Sequence, residues 1–176
     1  MDRADADAVS SPTANDTIAV YPGTFDPITL GHEDLIRRAA RLFGRVIVAV
    51  ATAHHKKTLF SLDERLSAVA EVVQPWGNVK VLAFDGLVTA FAGSQGACVL
   101  VRGVRSVSDF DFEAQLAGMN RALVPGIESV FLTPDARFQH ISSTLVREIA
   151  TLHGDVEQFV APSVLARLHA KLRPAG

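Results

Sequence analysis

A single cysteine among 176 residues has no partner within the chain, so no disulfide framework forms and a reducing compartment fits. Cys98 lies inside the apolar run Ala97-Cys98-Val99-Leu100-Val101, where a thiol behaves as a small buried hydrophobe. Charge of one sign is scarce too: 17 basic against 19 acidic side chains leave −2, too little for a general field that would draw in nucleic acid or an anionic membrane. Any anion site must therefore be built locally. Apolar stretches such as Val46 to Ala53 fall far short of the roughly 20 residues that a membrane helix needs. Residues 1–16 carry Asp2, Asp5, Asp7 and Asp16 and offer no apolar segment to a secretion signal. They read as a disordered extension ahead of one domain over 17–176, in a cytoplasmic protein. Internal repeats, further low-complexity tracts and a dividing linker are all missing.

What remains is an ordinary globular composition, 48% hydrophobic and 20% charged. From Thr17 onward, short β-rich runs alternate with segments of helical period, which predicts a Rossmann-like, doubly wound α/β fold: a parallel five-stranded sheet with helices on both faces. The strand candidates are 18–21, 46–51, 79–83, 98–102 and 129–132, mostly continuous apolar runs, as strands buried on both faces should be. Helices are expected over 32–43, 62–73, 88–94, 109–123, 143–152 and 163–172. Ser61 and Glu64 form a capping-box pattern that marks the start of the second.

Open parallel sheets bind ligands at the carboxyl ends of their strands. After the first strand comes Tyr21-Pro22-Gly23-Thr24-Phe25-Asp26-Pro27-Ile28-Thr29-Leu30-Gly31-His32. It brings an imidazole to a helix amino terminus, where unpaired N–H groups and the dipole suit phosphate. A protonated histidine gains nothing from that dipole, so the position of His32 makes sense beside a bound polyphosphate. After the second strand, His54, His55, Lys56 and Lys57 place basic groups at the same edge; the alternative is a solvated lysine pair. Adjacent histidines rarely face one metal, so zinc is a poor reading. The fourth strand delivers Arg102-Gly103-Val104-Arg105 and then Asp109 to Glu113 at a helix start. A guanidinium there must pair, with phosphate oxygens or with carboxylates. Pairing with Asp109 or Asp111 is a rival reading for Arg105, less so for Arg102. Beyond the fifth strand, Ser142, Ser143 and Thr144 suit a second anion site, although Ser142 or Ser143 could simply cap the helix. No Gly-x-Gly-x-x-Gly turn follows the first strand, which argues against a nicotinamide dehydrogenase.

Thr29-x-Gly31-His32 resembles the His-x-Gly-His signature of the nucleotidyltransferase superfamily, with threonine in place of the first histidine. Together with Tyr21 to Pro27, Lys56-Lys57, Val101 to Arg105, Asp109 to Glu113, Met119-Asn120-Arg121 and Ile141 to Arg147, it makes the chain similar to the bacterial phosphopantetheine adenylyltransferase family from about Ile18 to Leu172. The resemblance implies transfer of the adenylyl group of ATP to 4′-phosphopantetheine with Mg2+, giving dephospho-coenzyme A and pyrophosphate. It also implies a homohexamer built as a dimer of trimers, with coenzyme A as a feedback ligand. By the same likeness, the catalytic group comprises Thr24, His32, Lys56 and Arg102. Thr24, Lys56, Val88 and Arg102 would contact the acceptor. ATP would be held by Thr24, Phe25, His32, Gly103, Val104, Arg105, Glu113, Phe138, Gln139, His140, Ile141, Ser142, Ser143 and Thr144. The metal would be bound mainly through phosphates and water rather than by side chains.

Overall fold

The β-rich runs become five parallel strands in the computed structural model, which describes residues 16–52 and 57–172. They are β1 (Ile18–Gly23), β2 (Arg45–Ala51), β3 (Val79–Phe84), β4 (Val99–Gly103) and β5 (Glu128–Leu132), in the sheet order β3-β2-β1-β4-β5. The helices are α1 (Leu30–Leu42), α2 (Leu62–Val73), α3 (Val88–Ser94), α4 (Val107–Leu123), α5 (Ser143–Thr151) and α6 (Pro162–Leu172). The expected doubly wound α/β sheet is therefore present. Of the 1–16 extension only Asp16 falls among the described residues, and Lys56, with His54 and His55, lies outside them.

Side chains alternate across the sheet, as the period of a strand requires. Val46, Val48 and Val50 pack with α1, α2, α5 and α6 on one face, while Ile47 and Ala49 join Leu100, Ala92 and Ile127 on the other. The second face is thinly covered, because Asn120 is the buried residue of α4.

Boundaries shift where tertiary pairing extends a local signal. β1 runs two residues past the expected end, since Pro22 and Gly23 pair with Ala49 and Val50 of β2. On its other side β1 pairs with β4 only at Ala19 and Val20. A proline is accommodated there because the ladder on that side has already ended. Strand order reverses at the same place, and the carboxyl halves of β1 and β4 part to open a crevice.

Candidate active site

Helix α1 begins two residues before its expected start, which moves His32 into the first turn, third after the Thr29 cap. The Thr29 main-chain N–H donates to His32 Nδ1 at 3.1 Å, and the Thr29 hydroxyl lies 2.9 Å from the same nitrogen. Nδ1 is thus the acceptor of a neutral ring, and the proton belongs on Nε2. Burial, with a smaller push from the Arg105 guanidinium, lowers the His32 pKa from 6.5 to about 4. A neutral imidazole offering one N–H is the form present near pH 7.

The ring is held from below by Phe25, whose centroid lies 5.2 Å away in an edge-on arrangement. Phe25 is itself wedged against Tyr21 and has a left-handed backbone, φ 51°. Burial pushes the Tyr21 phenol well above its ordinary pKa of 10, so it stays protonated. Gly23 is required by this stack, because a Cβ there would sit 2.9 Å from two Phe25 ring carbons. Gly23→Ala is expected to cost about 1–3 kcal/mol in overpacking and to lower turnover with it, as read by denaturant unfolding and initial rates. Unchanged values for both would show that the stack has slack.

His32 and Arg102 open onto one crevice of about 280 Å³, shared with Tyr21, Thr29, Gly103, Arg105, Glu113, Phe138 and Ile141 to Thr144. Arg102, at the end of β4, makes a fork-to-fork pair with Glu113 of α4: Nε to Oε2 at 2.6 Å and Nη2 to Oε1 at 2.7 Å. The partner comes from deeper in α4 than the aspartates weighed from the sequence, four residues past Asp109 and two past Asp111. For Arg105 the aspartate reading holds, with Nε 3.2 Å from Asp109 Oδ2, and its Nη1 also donates to the Ile141 carbonyl. That bond ties the β4 exit to the start of α5.

Three hydroxyls divide the work at that start. Ser142 caps α5 by accepting from the Leu145 amide, Ser143 donates to the Pro27 carbonyl at 2.8 Å, and Thr144 is exposed at the crevice. The preceding loop is anchored by Asp34, a buried α1 carboxylate that accepts from Arg37, Arg38 and the Asp135 amide.

Other expected site residues do not line the crevice. The Phe25 side chain is buried beneath the imidazole, which leaves only its main chain for a ligand, and Val104 is buried as well. Gln139 is exposed, and His140 is turned toward the Phe159 ring. Thr24, half-buried, has its carbonyl taken by Arg65. Val88 packs beside the cluster on the far face of the sheet.

Asp26 and Arg65 escaped the sequence reading. Asp26 is 1% exposed and accepts from the Leu59 and Phe60 amides and from Arg147 Nη1. A signal for Arg65 existed, because it sits on the stripe of Leu62, Leu66, Val69 and Val73, where a cation is out of place. Among the described residues, no group of three His, Cys, Asp or Glu side chains could hold a metal ion. No helix among them is long and apolar enough to cross a membrane.

The cytidylyltransferase-like family model matches residues 20–149. A phosphopantetheine adenylyltransferase of Acidovorax sp. (strain JS42) is 67% identical over 155 residues, 88% of this chain and 94% of that one. Its counterpart in Azoarcus sp. (strain BH72) is 54% identical across 89% and 96% of the two chains. Among solved structures, the Plasmodium falciparum nicotinic acid mononucleotide adenylyltransferase complexed with NaAD shares the fold, with a TM-score of 0.64 at 16% identity over 90% of this chain and 97% of that one.

Proposed function

This chain belongs to the phosphopantetheine adenylyltransferases, within the cytidylyltransferase-like family, and from that premise we propose that it transfers the adenylyl group of ATP to 4′-phosphopantetheine. The products are dephospho-coenzyme A and pyrophosphate, a step of coenzyme A biosynthesis. The observation that supports this most directly is the convergence of His32, Arg102, Arg105 and the start of α5 on one crevice. Such a set of donors suits a polyanion.

An oxygen of the acceptor phosphate attacks the α-phosphorus in line. The bond from that phosphorus to the oxygen bridging the β-phosphate breaks, and its electron pair leaves with pyrophosphate. This reaction needs positioning and neutralisation of spreading charge more than acid or base work. His32 donates from Nε2 to oxygen on the α-phosphate. Thr24 and Lys56 orient the attacking phosphate, Arg102 clamps it, and Val88 serves the far end of the acceptor. Arg105, Glu113 while neutralised by its pair with Arg102, the Gly103 and Val104 main chain and the 138–144 loop hold ATP, with Phe25 contributing through its main chain.

Mg2+ belongs with the triphosphate in this reading. Glu113, the carboxylate lining the crevice, is engaged by Arg102, so the donor set suits an ion held mainly by phosphate oxygens and water. When bound, the ion supplies neutralisation of phosphate charge. Coenzyme A, which contains the product's own groups, is proposed to act as a feedback ligand at the same crevice, in the cytoplasm.

A homohexamer, a dimer of trimers, completes the reading. It is supported by the open apolar side of α4, where Phe112, Met119 and Leu123 are each more than half exposed. Native mass spectrometry is expected to find six copies, with Phe112→Glu shifting the population to smaller species. The function itself is tested by mixing the protein with ATP, magnesium and 4′-phosphopantetheine and weighing the product. Adenylylation of nicotinic acid mononucleotide instead would sink it.

A further inference from the structure

Arg65 is among the largest fully buried side chains, at 2% exposure, yet its hydrogen bonds run to main-chain carbonyls, and the Asp26 carboxylate acts on it only through space. Nη1 donates to the Thr24 carbonyl at 2.8 Å and the Ala51 carbonyl at 2.7 Å, Nη2 to Thr52 at 3.4 Å, and Nε to Phe60 at 3.3 Å. Thr24 follows the last residue of β1, and Ala51 ends β2. One planar fork therefore joins the exits of two neighbouring strands where the sheet stops supplying partners.

The reciprocal contacts come from the same loop. Asp26 takes the Leu59 and Phe60 amides, so the segment from Thr24 to Asp26 is gripped at both ends by the turn before α2 and by α2 itself. Between those grips lies Phe25, in the left-handed region and packed under His32. A left-handed backbone at a non-glycine residue is strained and persists only where its surroundings impose it.

We propose that Arg65 is a positioning residue for the transfer reaction: by fixing the Thr24 carbonyl it sets the loop that carries Thr24 and supports the His32 ring. This rests on the function proposed above. In that reading ATP takes one main-chain contact from this loop, at Phe25, and the rest from the other side of the crevice, at Arg105 and the start of α5. Loss of the fork should therefore damage acceptor use and turnover while sparing ATP binding.

Arg65→Lys tests it, because an ammonium keeps the charge but lacks the planar spread that reaches four carbonyls. The expected result is a fall of about 100-fold in kcat/KM for 4′-phosphopantetheine, the scale of a misplacement near 1 Å, with the ATP Kd changed less than about threefold. Equal losses in ATP affinity and acceptor use, or no loss in either, overturn the proposal. Should the variant not fold, the wild-type protein decides: the Arg65 Nε–H signal in a nitrogen-15 NMR spectrum is expected to shift when 4′-phosphopantetheine is added. A signal indifferent to the acceptor overturns the proposal. Wild-type protein that makes no dephospho-coenzyme A removes the functional reading first, so the two failures are told apart.

Discussion

His32→Ala is expected to lower kcat about 1000-fold, the scale seen when a single preorganised donor to a developing oxyanion is removed. The ATP Kd should stay within about tenfold, because an interaction that strengthens only as charge spreads belongs to the transition state. Single-turnover rates and equilibrium ATP titration read the two quantities separately. Matching losses in both would make His32 a ground-state contact instead.

The depressed pKa of the same ring gives a pH signature. Above its ordinary value of 6.5 the imidazole is neutral whether the chain is folded or unfolded. As pH falls from 6.5 toward about 4, the unfolded chain takes up a proton that the folded one refuses, so stability is lost across that window. Below about 4 both forms are protonated and the loss levels off. His32→Asn, which keeps an acceptor for the Thr29 amide, is expected to have a flatter stability curve than wild type between pH 6.5 and 4. Parallel curves would mean that the ring is not held neutral.

Arg102→Ala should raise the KM for 4′-phosphopantetheine about 100-fold and weaken ATP by less. Two causes act together. The acceptor phosphate loses its clamp, and the Glu113 carboxylate, only 12% exposed and now without its partner, faces the triphosphate with an uncompensated charge. Removing that carboxylate as well, in Arg102→Ala with Glu113→Ala, should restore part of the ATP affinity but none of the acceptor affinity. The double-mutant cycle separates pair from clamp. An ATP defect larger than the acceptor defect would place Arg102 on the wrong side of the crevice.

How far local chemistry speaks for itself is visible in α2. Its capping box, Ser61 with Glu64, is complete within four residues, and the helix occupies the expected 62–73. Ser142 likewise took the capping role that its place before α5 offered. Arg102 shows the opposite case. Its position at a strand end said that it must pair, but not with what, and the answer depended on which residue of α4 the sheet brought opposite. Arg65 marked itself by interrupting an apolar stripe, while its four carbonyl partners belong to three separate segments.

From the chain alone came the alternation of strand and helix, the binding edge of the sheet, and a set of cations and hydroxyls at that edge. Those follow from periodicity, turn chemistry and the geometry of parallel sheets, all of which act over a few residues. The tertiary structure alone decided the parting of β1 from β4, the neutral state of His32, the Arg102–Glu113 pair and the Asp26–Arg147 link across 121 positions. Each depends on how much water and charge surround a group once distant segments meet, and spacing along the chain does not set that.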